Sequence, residues 1–233
     1  MLLSIIIPVF NEVSSLVEVV DRALSIPLPD GIERELIVVD DGSTDGTSEL
    51  LRRYQDHPAV KIHFSVLNFG KGVAVRVGLK YAKGDIVAIQ DADLEYDPDQ
   101  LGQLITPILE GRTPVVYGSR FRGQARGMVA LQGLGNRILT GFTNLLYGSQ
   151  LTDCYTCYKI FNRQTALWLS RQLQSKGFEL EAEISARLLR SGRAIEELPI
   201  RYEARSHQQG KKIRARDGFK GLWTLLRLRL FPN

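Results

Sequence analysis

The first 121 residues alternate between short apolar runs and stretches of helical periodicity, and no other feature constrains the fold as strongly. LLSIIIPVF opens the chain as a strand-like run, and residues 12–25 follow with helical spacing. ELIVVDDG, VKIHFSVL, DIVAIQDAD and PVVYGSRF continue the strand-like series. Between them, Ser43/Thr44 to about Tyr54, residues 71–82 and residues 98–111 read as helices. Ser43 and Thr44 supply N-cap chemistry, and Asp97-Pro98 opens the last of the three. Strands and helices alternating at this spacing form βαβ units. The expected fold is therefore α/β, with a Rossmann-like, mainly parallel sheet covered by helices on both faces.

The rhythm breaks after Phe121. Residues 122–135 are glycine-rich and read as a mobile loop. Residues 136–147, residues 163–174 and KGFELEAEISARLLRSG read as helices, and IEELPIRYEAR as a late strand. Ser206 to Ile213 is polar and expected to be flexible, and DGFKGLWTLLRLRLF closes the chain as an amphipathic helix. On that helix Phe219, Leu222, Trp223, Leu226 and Leu230 share one face, bordered by Arg216, Lys220, Arg227 and Arg229, while Leu225 and Leu228 fall off it. The pattern suits an interfacial helix on anionic lipid. A helix packed on the protein's own core or on a partner subunit is the other reading. The expected division is a catalytic unit over 1–205, with halves 1–121 and 122–205, and a basic loop and helix over 206–233.

Composition excludes several classes. With 44% hydrophobic and 24% charged residues, the chain has ample material for one core and is not disordered, collagenous or a coiled-coil array. No apolar run reaches the roughly 18 residues of a membrane span. MLLSIIIPVF lacks a basic leader and a cleavage site, so it reads as a buried strand. A net charge of +4 is too mild to imply nucleic acid, and no nucleic-acid partner is expected. Between Arg205 and Arg229, however, eight Lys/Arg stand against the single acid Asp217, which points to a basic face for something anionic. Cys154 and Cys157 form one C-x-x-C without further metal-ligand spacing, and read as two reduced thiols of an intracellular protein.

The strand ends carry the chemistry. After the first strand come Pro8 and Asn11-Glu12, after ELIVV come Asp40-Asp41, and after IVAIQ come Asp91-Ala92-Asp93. Any one acidic end suits an N-cap or an Asx turn. Three from different βα units converge on one sheet edge, where open α/β sheets bind ligands. Clustered carboxylates repel one another, so the edge calls for a cation, and Asp-x-Asp suits a hard divalent ion that also binds a diphosphate. N-F-G-K-G at 68–72 lacks Walker A spacing, and no G-x-G-x-x-G follows the first strand.

SIIIPVFNE, LIVVDDGSTDGT, NFGKGVAVRVGL, DIVAIQDADLEYDP and VVYGSRF, in this order, resemble the inverting nucleotide-sugar glycosyltransferases of the GT-A fold. More narrowly, they resemble the dolichyl-phosphate mannosyltransferase and undecaprenyl-phosphate sugar transferase branch. The resemblance runs from Ile5 to about Lys212. It implies that Pro8, Asn11, Glu12, Asp40 and Asp41 line a pocket for the nucleotide base and ribose. Lys71, Asp91 and Ala92 would contact the donor. Asp91, Asp93 and Glu95 would hold Mg²⁺ or Mn²⁺, with Glu95 standing where the family usually has Gln and open to a solvent-facing role instead. In TDCYTCYKIFNR, Asp153 matches the family's catalytic-site aspartate and is expected as a base, with Arg120 beside it at the acceptor phosphate. Cys157 and Tyr158-Lys159 depart from the family's small residue and aromatic-arginine pair. Phe178, Glu179 and Glu181 match an acidic helix start on the acceptor side. Arg205, Lys211 and Lys212 resemble the family's basic acceptor-phosphate loop, with its spacing expanded.

The implied reaction moves a hexosyl group from a UDP- or GDP-sugar to a polyprenyl (dolichyl or undecaprenyl) phosphate with inversion. The implied location is cytoplasmic, at a membrane surface or on a membrane partner protein. Transfer to a sugar or protein hydroxyl, and a non-catalytic nucleotide-sugar-binding module, are the alternatives.

Overall fold

The computed structural model describes residues 1–205 and 215–231; Lys211 and Lys212 fall outside the described residues. Apolar β-branched runs form the centre of one seven-stranded sheet. Strand β1 (Leu2–Val9) pairs in parallel with β2 (Glu33–Asp40) on one side and β4 (Ile86–Ile89) on the other, Ile5 lying opposite both Leu36 and Ala88. Strand β3 (Val60–Phe64) extends the parallel half beyond β2. On the far side, β6 (Lys159–Asn162) runs antiparallel between β4 and β5 (Val115–Arg126), and β7 (Ile195–Glu203) adds in parallel to β5. The order is β3-β2-β1-β4-β6-β5-β7, the expected α/β sheet.

Helices α1 (Leu16–Ser25), α2 (Thr47–Leu51, continued by a 3-10 turn over Arg52–Tyr54) and α3 (Lys71–Tyr81) follow the first three strands. Ile5, Ile6, Ile7, Leu36, Val38 and Ile89 are fully buried between these layers. At about 25 cal/mol per Å² of apolar surface removed from water, this layer supplies much of the drive to fold.

Several local expectations are corrected. Neither Ser43 nor Thr44 caps α2, whose N-cap is Gly46: Ser43 Oγ and the Thr44 amide are bound to Asn11, and Asp45 Oδ1 accepts the Thr47 amide at 3.0 Å. Residues 98–111 are not one helix but a 3-10 turn (Pro98–Gln100) and two short helices, α4 (Leu101–Leu104) and α5 (Thr106–Leu109). Pro107 has no amide to continue the ladder. The glycine-rich stretch after Phe121 is ordered: β5 runs to Arg126 and α6 spans Ala130–Tyr147. Gly123 lies at an irregularity in the β5–β7 pairing, where an added Cβ would sit 2.0 Å from the Ile200 carbonyl oxygen. This glycine permits close strand approach and does not mark flexibility. Strand β6 had no expectation, because four residues opening on a lysine carry no readable apolar period.

Helices α7 (Arg163–Gln172) and α8 (Leu180–Arg190) complete the second half. The closing helix α9 (Ala215–Leu230) packs on α8 and α6 with the face that sequence reading had set aside. Leu225 and Leu228 are buried with Ala182 and Ala186, and Tyr147 donates a 2.7 Å hydrogen bond to the Leu225 carbonyl. Phe219, Trp223 and Leu230 remain 73%, 62% and 60% exposed. The helix therefore has a packed face and an opposite, uncovered apolar face. Among the described residues, no helix is long and apolar enough to cross a membrane.

Candidate active site

The carboxyl ends of β1, β2 and β4 meet at one edge, as the topology requires. Asn11, at φ 50°, ties the β1 end to the β2 end: its amide donates to Ser43 Oγ at 2.9 Å and its Oδ1 accepts the Thr44 amide at 2.8 Å. Asn tolerates this left-handed conformation better than most residues. Pro8 lies within β1 beside Val39. Asp40 is buried and accepts from the Ser43 amide and the Ser48 hydroxyl, which makes it a loop brace. Asp41 is also buried, and its two oxygens accept the Phe69 and Gly70 amides at 2.9 and 2.7 Å. Burial pushes the Asp41 carboxyl above its ordinary pKa, helped by neighbouring Asp40 and opposed by those two amides.

Around Asp91 and Asp93 the acids are dense. Lys71, the first residue of α3, places its ammonium 2.7 Å from Asp91 Oδ1 and 3.1 Å from Glu181 Oε1. Gly70, just before it, fits only as glycine: its φ is +103°, and an added Cβ would lie 2.4 Å from the Lys176 carbonyl oxygen. Ala92 is buried, and its carbonyl accepts from Ser15 Oγ at 2.7 Å. Burial, reinforced by the like charges of Asp91 and Glu95, pushes the Asp93 pKa up to about 7. Leu94 follows at φ 60°, an unfavourable conformation for a branched side chain and a place where strain is stored beside the acids.

Two of the expected site residues are engaged by partners within the protein. Glu95, expected either as a metal ligand or as a solvent-facing residue, accepts the Tyr202 hydroxyl at 2.7 Å with one oxygen and the Arg205 amide at 2.8 Å with the other. It fastens the end of β7 to the β4 loop. Arg205 was expected at the acceptor phosphate. Its guanidinium instead bridges Glu12, at 2.8 and 3.1 Å, and Asp93, at 2.9 Å.

Asp153 also differs from a free base. It is fully buried, and Arg120 grips it twice, Nε donating to Oδ2 at 2.7 Å and Nη2 to Oδ1 at 2.8 Å. The Arg120 amide adds a bond to Oδ2 at 3.1 Å, and the guanidinium lies 5.2 Å over the Tyr202 ring. Bidentate geometry of this kind fixes orientation as well as charge. Glu197, which sequence reading missed, holds the turn by accepting the Thr152 and Asp153 amides. Its only signal was an acid within an otherwise ordinary strand. Cys154 and Cys157 are free, buried thiols.

A divalent cation fits the charge of this edge. Five carboxylates, Glu12, Asp91, Asp93, Glu95 and Glu181, crowd around three cations among the described residues, Lys71, Lys159 and Arg205. Among the described residues no three acidic, His or Cys groups stand ready as a complete ligand set. Asp91 and Asp93 would therefore share an ion with the oxygens of a diphosphate, as hard cations commonly do.

Comparison with known proteins identifies the family and the fold. A UDP-N-acetylglucosamine–dolichyl-phosphate N-acetylglucosaminyltransferase of Methanococcus voltae is 27% identical over 247 residues, covering 98% of this chain and 96% of that protein. An undecaprenyl-phosphate 4-deoxy-4-formamido-L-arabinose transferase of Edwardsiella ictaluri is 29% identical, covering 89% of this chain but only 62% of its own length. Glucosyl-3-phosphoglycerate synthase from Mycobacterium tuberculosis, solved with Mn²⁺, UDP and phosphoglyceric acid, superposes with a TM-score of 0.74 at 22% identity. That likeness covers 99% of this chain and 79% of the synthase, and it shows a shared GT-A fold. The description Glycosyl transferase family 2 matches residues 4–167, and the chain belongs to that family.

Proposed function

We propose that this protein transfers a hexosyl group from a UDP- or GDP-sugar to the phosphate of a polyprenyl lipid, with inversion at the anomeric carbon. The observation that carries the acceptor class is the Arg120–Asp153 pair. Where a base was expected, the site presents a carboxylate committed to a buried guanidinium. A sugar hydroxyl needs a base to become nucleophilic, whereas a phosphate monoester is already largely ionised near neutral pH. The names of the two polyprenyl-phosphate relatives support the same class.

In this reading Pro8, Asn11, Glu12 and Asp41 shape the nucleotide pocket, and Asp40 braces its floor. Lys71 meets the donor diphosphate beside Asp91 and Ala92. Mg²⁺ or Mn²⁺ held by Asp91 and Asp93 would neutralise charge on the departing nucleotide. The acceptor oxygen forms its bond to the anomeric carbon as the bond to the diphosphate breaks, and no proton transfer is required. Arg120, fixed by Asp153, orients the acceptor phosphate, so the gain is one of proximity and charge. A phosphate role for Arg205 requires it to leave Glu12 and Asp93. The test is release of UDP or GDP from a panel of nucleotide hexoses with Mn²⁺. Release should rise on adding a short polyprenyl phosphate and stop with EDTA; release indifferent to the lipid would contradict the acceptor class.

The uncovered apolar face supports docking on a membrane surface. Phe219, Trp223 and Leu230 are exposed on α9, with the exposed cations Arg216, Lys220 and Arg229 beside them. On α6, Leu131, Leu134, Ile138 and Leu145 are between 55% and 80% exposed at helical spacing. Each basic residue near an anionic surface contributes about 1 kcal/mol. Removing α9 would strip Leu225 and Leu228 from the core, so point changes make the cleaner probe. Phe219→Asp with Trp223→Asp should leave thermal unfolding unchanged and abolish co-sedimentation with phosphatidylglycerol vesicles. Undiminished vesicle binding by that variant would remove this helix from the membrane contact.

A further inference from the structure

Behind the acidic edge, the donor-site pair Asp91 and Lys71 continues into a buried chain of charges whose inner members, Glu181 and Lys159, the proposed reaction does not use. The Glu181 carboxylate, at the start of α8, stands between two ammonium groups. Lys71 approaches Oε1 at 3.1 Å as a charge contact, and Lys159 donates to Oε2 at 2.5 Å. Lys159 has no exposed surface; it also donates to the Thr156 carbonyl, and its ammonium lies 4.8 Å from the Tyr117 ring centroid. Lys71 is shared in turn with Asp91 at 2.7 Å. Two cations and two anions therefore alternate from the interior to the site, and their charges cancel.

We infer that Lys159, acting through Glu181, is a positioning residue that sets how Lys71 divides itself between Glu181 and Asp91. The inference rests on the reading that a nucleotide diphosphate binds at Asp91. With Lys159 in place, Glu181 is already neutralised and leaves Lys71 to Asp91 and the incoming phosphates. Without it, Lys71 is the only cation for both carboxylates. The buried Glu181 attracts it more strongly than the partly exposed Asp91, because Coulomb attraction grows as water is excluded. Asp91 is then left more negative, and the diphosphate loses its cation. The two ligands of the site should respond in opposite directions: a bare divalent ion binds more tightly, and a nucleotide diphosphate more weakly. General loosening of the fold weakens both.

The experiment compares Lys159→Met, Lys159→Arg and Glu181→Gln with the wild type. Free Mn²⁺ is counted by electron paramagnetic resonance, and UDP and GDP are titrated calorimetrically with Mn²⁺ saturating. Lys159→Met should tighten Mn²⁺ several-fold and weaken the nucleotide on the order of tenfold, the scale expected for one unit charge in a poorly solvated site. Lys159→Arg keeps the charge and should restore both values. Glu181→Gln removes the opposite charge and should weaken Mn²⁺, so the inference stays testable if Lys159→Met fails to fold. Folded variants in which both affinities move together, or neither moves, overturn it. A wild type that binds Mn²⁺ but neither nucleotide overturns the proposed function instead, while the Mn²⁺ comparison still decides the role of Lys159.

Discussion

Asp93→Asn and Asp91→Asn should each reduce sugar transfer by at least about 10²–10³-fold, the cost typical of removing one preorganised charge contact from a transition state. Both residues stand at the end of β4 with side chains 16% and 21% exposed, not in the apolar core. Thermal unfolding should therefore change little. The cause lies in the charge of the edge. Five carboxylates crowd around three cations among the described residues, and burial with the like charges of Asp91 and Glu95 pushes the Asp93 pKa up to about 7. A divalent ion there would offset that excess of acid. Wild-type turnover that survives exhaustive EDTA treatment would contradict the metal role, as would an Asp93→Asn variant with normal turnover.

Asp153→Asn is expected to lose both activity and stability. Removing one partner of a buried ion pair leaves the other uncompensated and typically costs about 3–5 kcal/mol. Here Arg120 is only 5% exposed and Asp153 is fully buried. The double variant Asp153→Leu with Arg120→Met separates the two effects. Its denaturant midpoint should recover toward the wild type, since apolar replacement of a buried pair is often neutral or stabilising. Its transfer rate should stay at least about 10²-fold down, because the cation at the acceptor is gone. A single Arg120→Met variant with normal acceptor KM and kcat would show that Arg120 does not meet the acceptor. Under that result Asp153 would return as a candidate base.

The sheet edge was legible in the sequence because acids at three strand ends have few ways to be placed apart. Strands β1, β2 and β4 are continuous apolar runs, and burial on both faces produces such runs. Local chemistry in the second half was harder to read. Gly123 looked like a loop residue because a close backbone approach to Ile200 cannot be seen from one strand alone. Strand β6 was missed because its buried Lys159 breaks the apolar run, and only the fold brings Glu181 and the Tyr117 ring to it. Asp153 was found, but its commitment to Arg120 depends on two segments 33 residues apart. For α9, helical spacing favoured the stripe that carries Phe219, Trp223 and Leu230 as the working apolar face. The small side chains of Ala182 and Ala186 make room for Leu225 and Leu228 on the other. Both faces of that helix are apolar, and periodicity points to a single stripe only when one face is polar.

The linkage in the product tests the central claim most directly. Purified protein, Mn²⁺, a nucleotide hexose that it turns over and a short polyprenyl phosphate should yield an organic-extractable lipid. In that lipid a single phosphodiester should join the prenyl chain to the anomeric carbon, with ³¹P–¹H coupling to the anomeric proton and a configuration opposite to that of the donor. A product whose sugar is joined to a hydroxyl oxygen, or a phosphodiester with the donor's configuration retained, would contradict the account.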